Sequence, residues 1–180
     1  MLIAFNKPFG VVTQFSGEGA TLKDYLDIPG IYPAGRLDKD SEGLLLLTDD
    51  GKLQARISSP KFKLPKTYWV LVEREPTEES LEQLRRGVKL KDGMTKPAEV
   101  KRMDEPEGLW ERDPPVRYRK NVKDVWLEIT LREGKNRQVR RMTAAIGHPT
   151  LRLVRAKIGP VSVDGLALGK FREIDPVKLG

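Results

Sequence analysis

The sequence has no cysteine and a single histidine, His148, among its 180 residues. The first absence excludes a disulfide framework, a thiolate metal site and a cysteine nucleophile, and it fits a cytosolic setting. With one histidine, a zinc site would need mostly carboxylates, and no suitable spacing of them stands out, so no metal is expected. His148, inside Gly147-His148-Pro149, reads as a turn residue. Long apolar runs are missing too. The most strongly apolar stretch, Leu44 to Leu47, is far short of a membrane span. The opening Met1-Leu2-Ile3-Ala4-Phe5-Asn6-Lys7-Pro8 lacks a basic start followed by a long apolar segment, so it is not read as a signal peptide. Neither a glycine-rich nucleotide-phosphate loop nor a serine elbow is present. There is no internal repeat, no low-complexity tract and no linker that separates two cores.

What is present begins with charge. The net charge is +7 and the pI is near 9.6. Such a surplus favours a polyanionic partner, nucleic acid first, although on charge alone a protein that is merely basic stands about level. The apolar fraction is 38%, in short clusters along the whole chain, enough to build a core.

The patterning predicts strands over 2–5 and 9–15, around the turn Lys7-Pro8-Phe9-Gly10. Thr21 is placed to cap a short helix through about Leu26, and Asp49-Asp50-Gly51 to cap another over 52–57. A buried strand is expected at Leu44–Thr48 and a strand rich in aromatic and β-branched residues at Thr67–Glu73. Pro76-Thr77 opens a helix with Leu81 and Leu84 on one face and Gly87 as its C-cap. Strands are expected over 97–102, Val125–Leu131, 150–158 and 170–174, with a basic helix starting near Asn136. Residues 103–124 are proline-rich and charged and read as a long loop or insertion, with Trp110, Arg117, Tyr118 and Arg119 available to embrace a partner. The mixed order of elements favours an α+β fold.

Three segments are able to carry chemistry. Gly35-Arg36-Leu37-Asp38-Lys39-Asp40-Ser41-Glu42-Gly43 concentrates polar residues just before the leucine run. A loop feeding a buried strand is held rigidly at one end, which is where a side chain can be positioned; taken alone, a charged turn is the commoner meaning. Arg132-Glu133-Gly134-Lys135-Asn136-Arg137-Gln138-Val139-Arg140-Arg141-Met142 places Val139, Met142 and Ile146 on one helix face and Arg137, Arg140 and Arg141 on the other. Guanidinium groups bind phosphate or pair with carboxylates. Lys66-Thr67-Tyr68-Trp69-Val70 offers an aromatic for stacking on a base, though most strand tyrosines are half-buried packing residues.

Together these blocks resemble the RsuA/RluB/RluE/RluF-type pseudouridine synthases. Asn6-Lys7-Pro8-Phe9-Gly10-Val11 is similar to the family's opening block, Gly35-Arg36-Leu37-Asp38 to its catalytic block, Lys66-Thr67-Tyr68 to its tyrosine block, and Glu133 to Met142 to its arginine block. Leu151-Arg152-Leu153-Val154-Arg155 with Ile158-Gly159-Pro160 also fits. Within the family, the short layout and Trp110 to Arg117 are most similar to members acting on large-subunit ribosomal RNA. Many members carry an N-terminal S4-type RNA-binding domain; here the block order begins at residue 2, so a single catalytic domain over 1–180, with two lobes allowed, is expected without one.

The resemblance implies isomerisation of a uridine to pseudouridine in RNA, 23S ribosomal RNA first, by a cytoplasmic monomer that needs no metal or other cofactor. It implies a mixed, mostly antiparallel sheet with flanking helices and an active-site cleft. Asp38 would be the essential carboxylate, attacking the sugar or acting as a base toward a glycal-type intermediate. Arg140 would be its cation. Tyr68 would stack on the base and is a candidate for removing the C5 proton. Arg36, Lys135, Arg137 and Arg141 are expected to contact RNA. Three alternatives stand beside this: a non-catalytic RNA-binding protein of the same fold, a synthase acting on 16S ribosomal RNA or tRNA, and a glycoside hydrolase using Asp38 with Asp40 or Glu42, which requires two carboxylates about 5–10 Å apart.

Overall fold

The computed structural model describes every residue except Lys63, Tyr118, Arg119 and Gly180. Tyr118 and Arg119, noted above as partner contacts, therefore lie outside the described residues. In chain order the strands and helices are β1 (Leu2–Lys7), β2 (Tyr32–Pro33), β3 (Glu42–Thr48), α1 (Gly51–Ser58), β4 (Lys66–Val72), α2 (Glu78–Arg86), β5 (Lys89–Leu90), β6 (Gly93–Met94), β7 (Glu99–Met103), β8 (Val125–Leu131), α3 (Gln138–Ala145), β9 (Thr150–Ile158), β10 (Val161–Ser162) and β11 (Phe171–Ile174). Short 3-10 turns occupy Leu22–Asp24 and Pro176–Leu179. The fold is α+β, as expected. No helix among the described residues is long and apolar enough to cross a membrane. The chain divides into two compact units, Met1–Leu64 with Val154–Gly180, and Pro65–Leu153, so the division falls inside β9.

In the first unit β1 lies antiparallel between β11 and β3, while β3 pairs in parallel with β9 at Glu42 with Val154 and Gly43 with Arg155. Leu44 and Leu46 join Leu2 and Ala4 in a core closed by Leu53 and Ile57 of α1. Leu45 and Leu47 join Ile3 and Phe5 in a second core with Val11, Leu22 and Leu26. β3 is thus buried on both faces, which is why its sequence is an unbroken leucine run and not an alternation. Burying each leucine stabilises the unit by about 1.5–3 kcal/mol against leaving it exposed.

Local signals set the ends of the elements. Thr21 and Asp24 form a reciprocal capping box, and the Asp50 carboxylate accepts from Lys52 N and Leu53 N at the start of α1. The strand expected over 9–15 does not form. Val12 makes only an isolated bridge to Thr21, and the backbone bonds of this stretch run instead from Gly10 N to Lys39 O, Val12 N to Ala20 O and Leu22 N to Gln14 O. Alternating small residues met no continuous partner strand, so a folded loop took their place.

In the second unit β8 lies antiparallel between β4 and β7, with Val70 opposite Leu127 and Val100 opposite Ile129. These side chains share one core with Leu81 and Leu84 of α2 and Val139 and Met142 of α3. Thr77 caps α2, Glu78 and Glu79 occupy its first turn and Arg85 and Arg86 its last, each sign matched to the helix dipole. Gly87 ends the helix at φ +111, where a Cβ would stand 2.3 Å from Thr95 O. The described residues between β7 and β8 form no strand or helix. Arg112 stitches this segment by donating to Pro114 O and Leu151 O, and Arg152 donates to Trp110 O. The hairpin of β5 and β6 was not foreseen.

Candidate active site and basic surface

Asp38 lies half-buried in the loop that feeds β3, between exposed Arg36 and half-buried Asp40. The backbone of this loop is unusually well held. Arg36 O accepts from Arg155 Nη1 at 3.1 Å. Leu37 O accepts a short hydrogen bond from the Thr13 hydroxyl, whose oxygen in turn accepts from Leu37 N. Asp38 O accepts from Ser41 N at 3.0 Å, and Lys39 O from Gly10 N at 2.8 Å. Four successive carbonyls are engaged, so the position of the Asp38 backbone is over-determined, as a positioned catalytic group requires.

Lys7 and Arg155 anchor this arrangement. Lys7, fully buried at the end of β1, donates from Nζ to Pro8 O and Val11 O at 2.8 Å and reaches Lys39 O at 3.4 Å. Burial lowers its pKa from 10.5 to about 7, against the opposing pull of Glu42, Asp40 and, more weakly, Asp38. Arg155, also buried, spans the loop: Nε donates to Leu44 O at 2.8 Å while Nη1 holds Arg36 O. β9 approaches β3 so closely here that a Cβ on Gly43 would stand 2.4 Å from Arg155 O. Glu42 is 1% exposed, which withdraws it from a two-carboxylate hydrolase.

The second unit carries the remaining candidates. Tyr68 sits on β4 opposite Ile129, half-buried, its ring against the core and part of it open to solvent. Arg140 is half-buried on α3. Arg137 is exposed and is the N-cap of the helix, whose first residue is Gln138, two beyond Asn136. Its backbone is left-handed, φ +48, a conformation that strains a side-chain-bearing residue and recurs at functional sites. Lys135 is half-buried. Arg141 grips Asp92 with both terminal nitrogens, at 2.8 and 3.2 Å, and donates from Nε to Asn136 O.

Several residues escaped sequence reasoning. Buried Gln138 shapes the turn into α3 by accepting from Lys135 N and donating to Glu133 Oε2. Thr13 and Arg155 act on backbone carbonyls far along the chain, and Lys7 joins the near carbonyls of Pro8 and Val11 to the distant one of Lys39, which no local pattern announces. Asp92 had a signal, since Asp92-Gly93 is a hairpin-turn dipeptide.

A carboxylate fixed on a braced loop in a basic chain equips an enzyme for chemistry on a polyanion, and the comparisons with known proteins define its class. Residues 1–145 match the model of the family described as RNA pseudouridylate synthase, and the chain belongs to that family. It is 56% identical over 175 residues to ribosomal large subunit pseudouridine synthase E of Vibrio parahaemolyticus, covering 96% of this chain and 73% of that protein. It is 57% identical over 171 residues to the protein of the same name from Xanthomonas axonopodis pv. citri, covering 93% and 90% respectively. A crystal structure of a pseudouridylate synthase, 33% identical, superposes with a TM-score of 0.81 over 99% of this chain and 71% of that one.

Proposed function

We propose that this protein converts one specific uridine of 23S ribosomal RNA to pseudouridine, with Asp38 as the essential carboxylate. The observation that carries the reading is the identity, 56–57% over nearly the whole chain, to proteins named as large-subunit pseudouridine synthases. The reaction breaks the N1–C1′ bond, turns the uracil, joins C5 to C1′, and moves a proton from C5 to N1. A uridine inside folded RNA must first leave the stack, at a cost of roughly a few kcal/mol. Arg140 is assigned as the cation that pairs with the Asp38 carboxylate, and Tyr68 as the aromatic on which the base rests. Asp38 acts on the sugar either as nucleophile at C1′ or as base toward a glycal-type intermediate. The braced loop supports both routes equally, because each needs one immobile carboxylate.

The test is mapping of pseudouridine in ribosomal RNA from cells with the protein, without it, and with Asp38→Ala in its place. One pseudouridine in 23S RNA should vanish in both altered strains. Its persistence in the Asp38→Ala strain would remove Asp38 from the chemistry. Loss of a site in 16S RNA or tRNA would redirect the substrate.

A further inference from the structure

The β5–β6 hairpin, Lys89–Met94, is a ribbon of two-residue strands that buries Leu90 in the core of the second unit. Met94 is 61% exposed, and Lys89, Lys91 and Lys96 are all exposed. A ribbon this short is marginal on its own. Here it is braced at three points. Thr95 closes its base, exchanging hydrogen bonds with Val88 through both backbone and hydroxyl. Lys96 N donates to Glu133 Oε2 at 2.6 Å, the same oxygen that accepts from Gln138 Nε2. Asp92, beside the turn, takes the bidentate grip of Arg141, and that guanidinium holds the Asp92 carboxyl below the usual carboxylate range. Lys135 Nζ lies 4.0 Å from the point where a Cβ on Gly93 would be.

The hairpin and the turn into α3 are therefore one assembly. It presents Lys89, Lys91, Lys96 and Lys135. Its carboxylates, Asp92 and Glu133, are engaged by protein donors. Four lysines, with Asp92 and Glu133 already engaged by protein donors, form a surface complementary to a phosphate backbone.

We infer that this hairpin is an RNA-backbone contact, and that Arg141, pointed to by sequence as a phosphate ligand, instead positions the hairpin through Asp92. The inference rests on RNA being the substrate. It assigns the hairpin to binding and not to chemistry.

The two roles predict opposite signs. Removing Asp92 raises the net positive charge, so if charge alone governed binding, Asp92→Ala would tighten it. If Asp92 braces the hairpin, Asp92→Ala weakens it. Binding is measured by filter retention of unmodified, in vitro-transcribed 23S ribosomal RNA across a salt series, with pseudouridine formation followed in parallel. Lys89→Ala with Lys91→Ala should lower the slope of log affinity against log salt by about 1.4–1.8, the value for two lost phosphate contacts. Lys52→Ala with Lys61→Ala, the same charge loss at two exposed lysines of the first unit, should leave that slope near wild type. Asp92→Ala should weaken binding several-fold, and the exchange Asp92→Arg with Arg141→Asp should restore most of it. A slope for the hairpin double variant equal to the control, or binding by Asp92→Ala equal to or tighter than wild type, overturns the inference. Failure of the wild type to form pseudouridine in this RNA instead overturns the functional reading, and the slope comparison still decides the hairpin.

Discussion

At the scale of single residues, the site depends on side chains that never need to touch substrate. Arg155 is the clearest. One guanidinium serves Leu44 O and Arg36 O, carbonyls on either side of Asp38 in sequence. A lysine ammonium lacks the planar fork by which Nε and Nη1 reach two carbonyls at once, so Arg155→Lys should lower the single-turnover rate severalfold or more while RNA affinity stays close to wild type. Arg155→Met strands the buried Leu44 O at about 1–3 kcal/mol and the part-buried Arg36 O at less, and its melting temperature should fall as well. A merely structural role would move the melting temperature in Arg155→Lys without separating rate from affinity. Gly43 is the matching backbone case. At φ +104, with Arg155 O in the way of a Cβ, Gly43→Ala should cost more than about 2 kcal/mol in a urea unfolding curve.

Elements differ in how far their sequences announce them. Thr21, Asp50, Thr77 and Gly87 were each readable as caps, because a cap is satisfied by neighbours two or three positions away. The leucine run was readable as a strand for the same local reason. The 9–15 stretch was misread because its fate depends on Lys39 and Ala20, and the hairpin was passed over although Asp92-Gly93 marks it. At the candidate site, Asp38 and its loop were singled out through block order, whereas the residues that hold the loop were not: Thr13, Lys7 and Arg155 bind backbone atoms, and backbone atoms leave no trace in a sequence. β1 illustrates the consequence. It delivers Lys7 into a dry interior, and the folded-state pKa of about 7 lies below the ordinary 10.5. Between those values the unfolded chain binds more protons at this residue than the folded one. Stability contributed by Lys7 therefore rises as pH increases from about 7 toward 10.5, and is lowest below 7. Denaturation midpoints across pH 6.5–10 should rise more steeply for wild type than for Lys7→Met. Parallel profiles would show that Lys7 titrates in the folded protein as it does in the unfolded chain.

For the whole molecule, the uneven distribution of charge matters more than its sum. Residues 104–113 hold Asp104, Glu105, Glu107, Glu111 and Asp113 against Arg112 alone, a net of −4, so the rest of the chain carries +11 of the overall +7. All five acids are exposed. A polyanion approaching a molecule so divided is drawn to some surfaces and repelled by another, which orients the encounter before any contact forms. Neutralising the repelling segment should therefore change how fast RNA arrives and leave unchanged how long it stays. In stopped-flow binding at low salt, Glu105→Gln with Glu107→Gln and Glu111→Gln should raise the association rate severalfold, with the gain vanishing as salt screens it. The dissociation rate should match wild type. Removing Lys89 and Lys91, by contrast, should raise the dissociation rate, because those lysines are assigned to the bound complex. A changed dissociation rate in the triple glutamine variant would mean that the acidic segment touches the bound RNA, and that it belongs to the interface and not to the field around it.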